Sequence, residues 1–379
     1  MRILKKAVLP IGFKANGLAC GIKKTGALDL ALLYSEVPAA SAHLFTTNSF
    51  PAAPILVSKQ ILKNNHPLQA ILINSGNANC LTGEEGKGDV WSCIQLAARL
   101  LGVPALSVVA SSTGIIARRL PVEKIKKSLP LLVKGLSVDG IHRAKRAIMT
   151  TDTIPKEISV QFKIGKGLVT ICGIAKGSGM ISPKMATMLC FILTDARIAP
   201  SKLKQALRLA VDDSFHCITV DGCMSTNDTV SIMANGLSGN LEISGKKDFM
   251  LFLSGLRIVC LELAKMIVKD AEGATKFIQI CVQQAKSKDE ARRVALAIAN
   301  SNLFKTAMFA SSPNVLGRIA AAVGSVGIPL NEKKLMIKYS PLREREINVT
   351  VGIGRGRQKA TIFTSDLSYK YVKINAEYN

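Results

Sequence analysis

Lys176-Gly177-Ser178-Gly179-Met180-Ile181-Ser182-Pro183-Lys184-Met185-Ala186-Thr187-Met188-Leu189 stands near the middle of a chain of 379 residues. A glycine-rich turn with one lysine runs into a proline, then an Ala-Thr bond, then an apolar run through Phe191 and Leu193. Glycine permits backbone geometries closed to other residues, so such a turn can fold back sharply or pass close to a ligand. Met188 to Leu193 reads as a buried strand or as the first turns of a buried helix. Thr187 is therefore expected at the mouth of a core element, presented by a tight turn. A hydroxyl placed there needs a base beside it to act as a nucleophile. Cutting the Ala186–Thr187 bond would supply one, because an α-amino group titrates near ~8 and takes up a proton readily at neutral pH.

Outward from this stretch, short apolar runs alternate with Gly, Asn and Ser turns. Ala70–Asn74 reads as a buried strand, Asn74–Gly83 as a loop and Asp89–Leu101 as a helix with Trp91, Ile94, Ala97, Ala98 and Leu101 on one side. Leu106–Ala110 reads as a strand ending in Ser111-Ser112-Thr113-Gly114, and Pro121–Ser128 as a short helix whose proline suits the first turn. Later helices are expected at 200–212, 247–270 and 289–300, followed by short strands at 347–353 and 360–363. The fold class is α/β, with mixed layers and sheets that carry their helices on one face.

At this length the chain can bury a large core in two or three domains, which favours an enzyme over a small binding module. The formal charge of +24 raises a nucleic-acid reading, but aromatic residues are only 5% and the basic residues are scattered. The expectation is no nucleic acid and a generally basic solvent surface. Nine cysteines show no two-residue gap of a zinc or redox motif, so no metal is expected, and they read as reduced core residues of a cytoplasmic protein. Lys14 and Asn16 break the apolar region that an export signal would need. Phe249–Val268 carries Arg257, Glu262 and Lys265, so it reads as an amphipathic helix and no membrane span is expected.

Segments spread over the whole chain carry a resemblance. They include Gly12-Phe13-Lys14-Ala15, Asn74-Ser75-Gly76-Asn77-Ala78-Asn79, Ser112-Thr113-Gly114, Met149-Thr150-Thr151-Asp152-Thr153, the Lys176–Leu189 stretch, Ser225-Thr226-Asn227-Asp228-Thr229, Asp270-Ala271-Glu272-Gly273-Ala274-Thr275-Lys276 and Tyr371-Val372-Lys373-Ile374-Asn375-Ala376-Glu377-Tyr378. In order and spacing the chain resembles the ornithine acetyltransferase family, also called the glutamate N-acetyltransferase family of arginine biosynthesis. The resemblance implies self-cleavage between Ala186 and Thr187, giving residues 1–186 and 187–379, with Thr187 as N-terminal nucleophile. It implies stacked α/β layers with the cleavage point inside the fold and a smaller C-terminal α/β domain from about residue 280. The implied partners are the small molecules N-acetylornithine and glutamate, and two chains from one precursor that form a heterotetramer of two pairs. No cofactor is implied. Acetyl-CoA is a co-substrate of some family members, and the matching positions do not separate the two types.

Acyl transfer needs a nucleophile, a base, oxyanion donors and groups that hold the substrate. Oxyanion donors belong at a strand-to-loop turn with free N–H groups, and Thr113-Gly114 fits; the family places its oxyanion hole at this pair. Lys176, Glu272, Thr153 and Asn375 match the family's substrate-binding residues, alongside Thr187. Lys184 stands where the family has Asn, Ala117 and Ala271 replace common glycines, and Ser312–Arg318 departs from the family's Asp-Pro-Asn-Trp-Gly-Arg segment. The family usually carries a further Ser or Thr beyond the position of Asn379, so the resemblance implies either one polar substrate contact fewer or its replacement by the terminal carboxylate. Competing readings are a related self-cleaving aminopeptidase or amidase and, from charge alone, a basic nucleic-acid-binding protein.

Overall fold

A computed structural model describes residues 1–63, 65–182 and 188–377. The chain divides into two compact units. The larger comprises Met1–Gly177, Lys184–Phe215 and Met224–Leu263; the smaller comprises Ser178–Pro183, His216–Cys223 and Ala264–Asn379.

In the larger unit the strands are β1 (Arg2–Leu4), β2 (Phe13–Leu18), β3 (Leu30–Phe45), β4 (Leu68–Asn77), β5 (Val108–Ile115), β6 (Lys156–Ile164), β7 (Gly167–Lys176), β8 (Leu189–Thr194) and β9 (Thr229–Ala234). They run in the order β1-β6-β7-β8-β9-β3-β4-β5, with β2 paired to β3. The long strand β3 joins two layers. Its Leu30–Tyr34 part pairs with β2 and β4, its Ala40–Phe45 part pairs with β9, and the register shifts between Tyr34 and Ala39. The two layers face each other. Cys172 and Ile174 of β7, Leu189, Phe191 and Leu193 of β8, and Met233 of β9 share one core with Leu30–Leu33, Ile71, Ile73 and Val109.

The helices of this unit are α1 (Ala53–Leu62), α2 (Gly83–Leu101), α3 (Val122–Lys134), α4 (Ile141–Ala147), α5 (Pro200–Asp212) and α6 (Lys246–Lys269). Helices α1, α2 and α4 pack on the β2/β4/β5 layer, while α5 packs on β3. On the other layer Gly173 of β7 lies so close to Val259 and Leu263 of α6 that a Cβ there would meet them within 3 Å. The larger unit is thus helix, sheet, sheet, helix, an α/β fold.

All six residues of β8 are buried. Its odd positions enter the core between the sheets, and Cys190 lies beside Cys260 of α6. A strand covered on both faces reads as a continuous apolar run rather than an alternating one. The ambiguity over Met188–Leu193 resolves in favour of a strand.

Two helices exceed their expected limits. Helix α2 begins at Gly83 rather than Asp89, because its first turn packs tightly on the preceding loop. A Cβ on Gly86 would meet Thr82 and Asn79. Helix α3 continues through Pro130 to Lys134. Leu129 and Leu132 are both fully buried, and burying two leucines offsets the roughly 3 kcal/mol that an interior proline costs.

In the smaller unit β10 (Phe277–Ala285), β11 (Met336–Tyr339), β12 (Glu346–Gly352) and β13 (Gln358–Ser365) form a sheet in the order β11-β12-β10-β13. Strands β10 and β12 are parallel and the other pairs antiparallel. Helices α7 (Lys288–Ala299), α8 (Asn302–Ala310), α9 (Val315–Gly324) and α10 (Tyr369–Glu377) complete it. Ser287 and Ser301 cap α7 and α8, their hydroxyls accepting the Glu290 and Phe304 N–H groups at 3.0 and 3.3 Å.

Among the described residues no helix is long and apolar enough to cross a membrane. The cysteines are free and most are buried.

Candidate functional site

The stretch 177–188 connects the antiparallel neighbours β7 and β8, whose last pair is Lys176 with Leu189. Pro183 to Thr187 lie outside the described residues. The expected cleavage pair Ala186 and Thr187, with Thr187 as nucleophile, is therefore not placed.

Strand β5 carries Thr113 and Gly114 alongside Ser75 and Gly76 of β4. Gly114 has φ +133, and a Cβ there would lie 2.3 to 2.7 Å from the Gly76–Asn77 backbone. Only glycine fits both that conformation and that approach. Asparagines hold the junction. Ser112 Oγ donates to Asn74 Oδ1 at 2.6 Å, and Asn74 Nδ2 donates to the Asn77 carbonyl at 2.8 Å. Asn227 Nδ2 donates to the carbonyls of Ala78 and Ser112 at 2.7 and 2.8 Å.

Lys176 and Thr113 are brought together. Both are buried, and Lys176 Nζ donates to Thr113 Oγ1 at 3.4 Å. Because the hydroxyl accepts in that contact, its own proton is left to donate elsewhere. The Asp152 carboxylate takes bonds from Lys156 Nζ at 2.6 Å, the Gly177 N–H at 2.7 Å and the Thr150 N–H at 2.9 Å. Burial pushes the Asp152 carboxyl up, but Lys176, Lys156 and the hydrogen bonds outweigh it and hold it at about 2. Lys23, bonded to the Leu28 and Met149 carbonyls, is lowered to about 8, chiefly by burial and further by Lys176. Thr153 lies exposed on the turn ahead of β6. Lys176 thus sets a buried cation beside the Thr113 hydroxyl, an arrangement that suits an anionic reactant.

Glu272 and Asn375 are also brought together, in the smaller unit. Asn375 Nδ2 donates to Glu272 Oε2 at 2.8 Å, and the Glu272 N–H donates to the Ser178 carbonyl at 2.9 Å. The carboxylate lies against Gly179, where any Cβ would meet it within 2.6 Å. The second glycine of Gly-Ser-Gly thus makes room for an acid distant in sequence.

Three carboxylates were not among the expected site residues. Besides Asp152, these are Asp221, which binds the Met180 and Ile181 N–H groups at 2.7 and 2.9 Å, and Asp228. Asp228 is fully buried, and its Oδ1 accepts the Met188 N–H at 3.1 Å. Among the described residues, Asp228 Oδ2 has no hydrogen-bond partner. Burial pushes the Asp228 carboxyl well above the usual range, against the pull of the Met188 N–H and Lys176. A polar run entering an apolar strand, as at Ser225–Thr229, is the sequence signal that marks Asp228.

The ArgJ family model matches residues 14–342 and 338–379 of this chain. The arginine biosynthesis bifunctional protein ArgJ of Geobacter sulfurreducens is 44% identical, over 97% of this chain and 98% of that protein. Its counterpart in Oceanobacillus iheyensis is 40% identical, over 97% of this chain and 95% of that protein. Among solved structures, an ornithine acetyltransferase from Mycobacterium tuberculosis complexed with ornithine is 35% identical; the match covers 50% of this chain and 99% of that one, with a TM-score of 0.44. With a family model spanning nearly its whole length and relatives 40% and 44% identical over almost all of it, the chain belongs to the ArgJ family.

Proposed function

We propose that the protein is a self-processing acetyltransferase of arginine biosynthesis, which moves acetyl from N-acetyl-L-ornithine to L-glutamate through an ester on Thr187. The observation that carries the reading is the buried Lys176–Thr113 pair beside Gly114. It supplies a hydroxyl donor, a cation and a close-approach backbone at one place. The nearly full-length relatives are arginine-biosynthesis proteins, which does not favour an aminopeptidase or amidase.

In maturation the Thr187 hydroxyl adds to the Ala186 carbonyl, the C–N bond breaks and the hydroxyl proton passes to the departing nitrogen. Water then hydrolyses the resulting ester, leaving a carboxylate on Ala186 and a free amine on Thr187. In transfer that amine takes the Thr187 hydroxyl proton as the oxygen attacks the acetyl carbonyl. The proton goes to the leaving amine of ornithine, and the acetyl group rests on Thr187. The amine of glutamate attacks the ester, its proton returns through the Thr187 amine, and N-acetylglutamate leaves. Thr113 and Gly114 stabilise the oxyanion of each tetrahedral centre. Lys176, Thr153, Glu272 and Asn375 hold the charged and polar ends of the substrates. The relatives are named bifunctional, and acetyl-CoA is the second donor in this reading.

Denaturing mass measurement tests the proposal. Wild type should give fragments 1–186 and 187–379, and N-acetylornithine without acceptor should add one acetyl mass to the second. Thr187→Ala should remain one inactive chain. Thr113→Ala should lower kcat by about 10²–10³ with KM nearly unchanged, and slow maturation as well. A Thr113→Ala enzyme that matures normally and shows only a raised KM removes Thr113 from the oxyanion hole. A donor screen with acetyl-CoA and glutamate separates one activity from two.

A further inference from the structure

The loop 19–29, between β2 and β3, reaches the Gly76–Gly114 junction although none of its residues was expected at the site. Asp29 is fully buried, and its carboxylate accepts the N–H groups of Cys20, Ile22 and Lys23 at 2.6, 2.6 and 2.9 Å. Its main-chain carbonyl accepts the Ser75 N–H at 2.9 Å. One acid therefore ties the loop both to itself and to β4, one residue before Gly76. A Cβ on Gly76 would lie 3.0 Å from Ile22 Cγ2 and 3.1 Å from Lys23 Cγ. Gly76 is also the residue against which Gly114 closes. The Lys23 stem and the Gly114 backbone thus both bear on Gly76.

The head group of Lys23 makes a second connection. Its Nζ donates to the Leu28 carbonyl at 2.8 Å within the loop, and to the Met149 carbonyl at 2.7 Å, far along the chain. Met149 leads into the turn where Asp152 accepts the Thr150 N–H and also the Gly177 N–H, next to Lys176. Ser75 makes a parallel tie, its hydroxyl donating to the Ala147 carbonyl at 2.5 Å. The chain at 147–149 is therefore fastened twice, once to the loop and once to β4. The ammonium is not held there for nothing. Burial lowers it to about 8; Asp29 pulls it up, Lys176 pulls it down and Asp152 pulls it up again. A solvated lysine would escape that penalty, and perturbed groups of this kind gather where a site needs them.

We propose that Lys23 is a positioning residue for the Thr113–Gly114 oxyanion donors, packing its stem on Gly76 and clamping the Met149 carbonyl with its ammonium. The proposal rests on the acetyltransferase reading above. An oxyanion donor works only when it lies about 3 Å from the place where charge develops, so small displacements are felt as rate. Two glycines in contact carry no side chains of their own to fix their separation from the rest of the site. Ile22 and Lys23 supply that bulk at Gly76. The clamp at Met149 steadies the turn that holds Gly177, and Lys176 beside it donates to the Thr113 hydroxyl. Lys23 needs no contact with substrate for this, because its effect runs through Thr113 and Gly114.

The experiment measures kcat per active site, with sites counted as acetyl groups taken up from N-acetylornithine in the absence of acceptor. Chains that misfold then drop out of the rate. Lys23→Met keeps the stem and removes the donor, so kcat per site should fall about ten-fold, more than KM rises. Lys23→Arg keeps a charged donor and should retain more of kcat than Lys23→Met. The double variant separates positioning from support of the fold. Added to Thr113→Ala, Lys23→Met should cost at most about three-fold, because one of the donors it positions is already gone. A residue that only supports the fold would cost the same factor in either background. Should Lys23→Met fail to fold, Lys23→Gln, which keeps a single-sided donor, takes its place in the same cycle. Full additivity with Thr113→Ala, or a wild-type kcat without the Lys23 ammonium, overturns the proposal while leaving the acetyltransferase standing. A wild-type chain that takes up no acetyl group overturns the reading beneath it.

Discussion

Asp152 shows what a single side chain contributes between two lysines. Its carboxyl is held at about 2 against an ordinary 3.8, so the folded state favours the ionised form. A depressed carboxyl stabilises the fold above its unfolded value, and that contribution is lost as pH falls through the folded value. The window is therefore roughly pH 4 down to 2, and the contribution at pH 7 is about 2 kcal/mol. Asp152→Asn in the uncut Thr187→Ala chain should lower the urea midpoint at pH 7 and flatten the acid limb. An unchanged slope of stability between pH 4 and 2 would contradict the assignment. At this scale, the residue types alone leave Thr113-Gly114 as an ordinary turn and Lys176 as an ordinary surface lysine; the family resemblance singles them out, and the structure places Lys176 beside Thr113. Asp221 and Asp228 were harder to read. An acid's role depends on which N–H groups meet it across 40 residues of chain, and neither composition nor spacing carries that information.

Among the elements, periodicity located most helices and strands, and errors came where a local rule met a stronger tertiary one. The limits of α5 fell as read, because Pro200 opens the helix at its first turn. Helix α3 reads from sequence as ending at Ser128, whereas two buried leucines carry it onward through Pro130 to Lys134. That mismatch makes a prediction. Pro130 is exposed, so Pro130→Ala should restore an intrahelical hydrogen bond without disturbing the core. Stability should rise by about 1–3 kcal/mol, read as a higher melting temperature of the uncut chain. A lower melting temperature would mean that the ring makes packing contacts that the helix needs. The bend of β3 was not read either. The signal was nevertheless present, because Pro38 falls within the register shift between Tyr34 and Ala39, and a proline inside a strand marks an edge or a bulge.

For the molecule as a whole, the order of strands matters more than the charge of +24. Strands β8 and β9 follow the proposed cut, yet they sit between β7 and β3, which both precede it. Each fragment made alone would leave long unpaired edges, the usual template for aggregation. Residues 1–186 and 187–379 expressed separately should accumulate as insoluble protein, and the cut enzyme should elute as one species from a sizing column. Recovery of a soluble, folded 187–379 piece by itself would contradict this. On the self-processing proposal, the Ala186–Thr187 peptide bond would first serve as a tether. While it lasts, it brings the middle strands to both neighbours at a local concentration that two separately diffusing pieces would struggle to match. A lineage that split this gene in two would lose that advantage, and would need some other means of bringing two sticky edges together before they found the wrong partner.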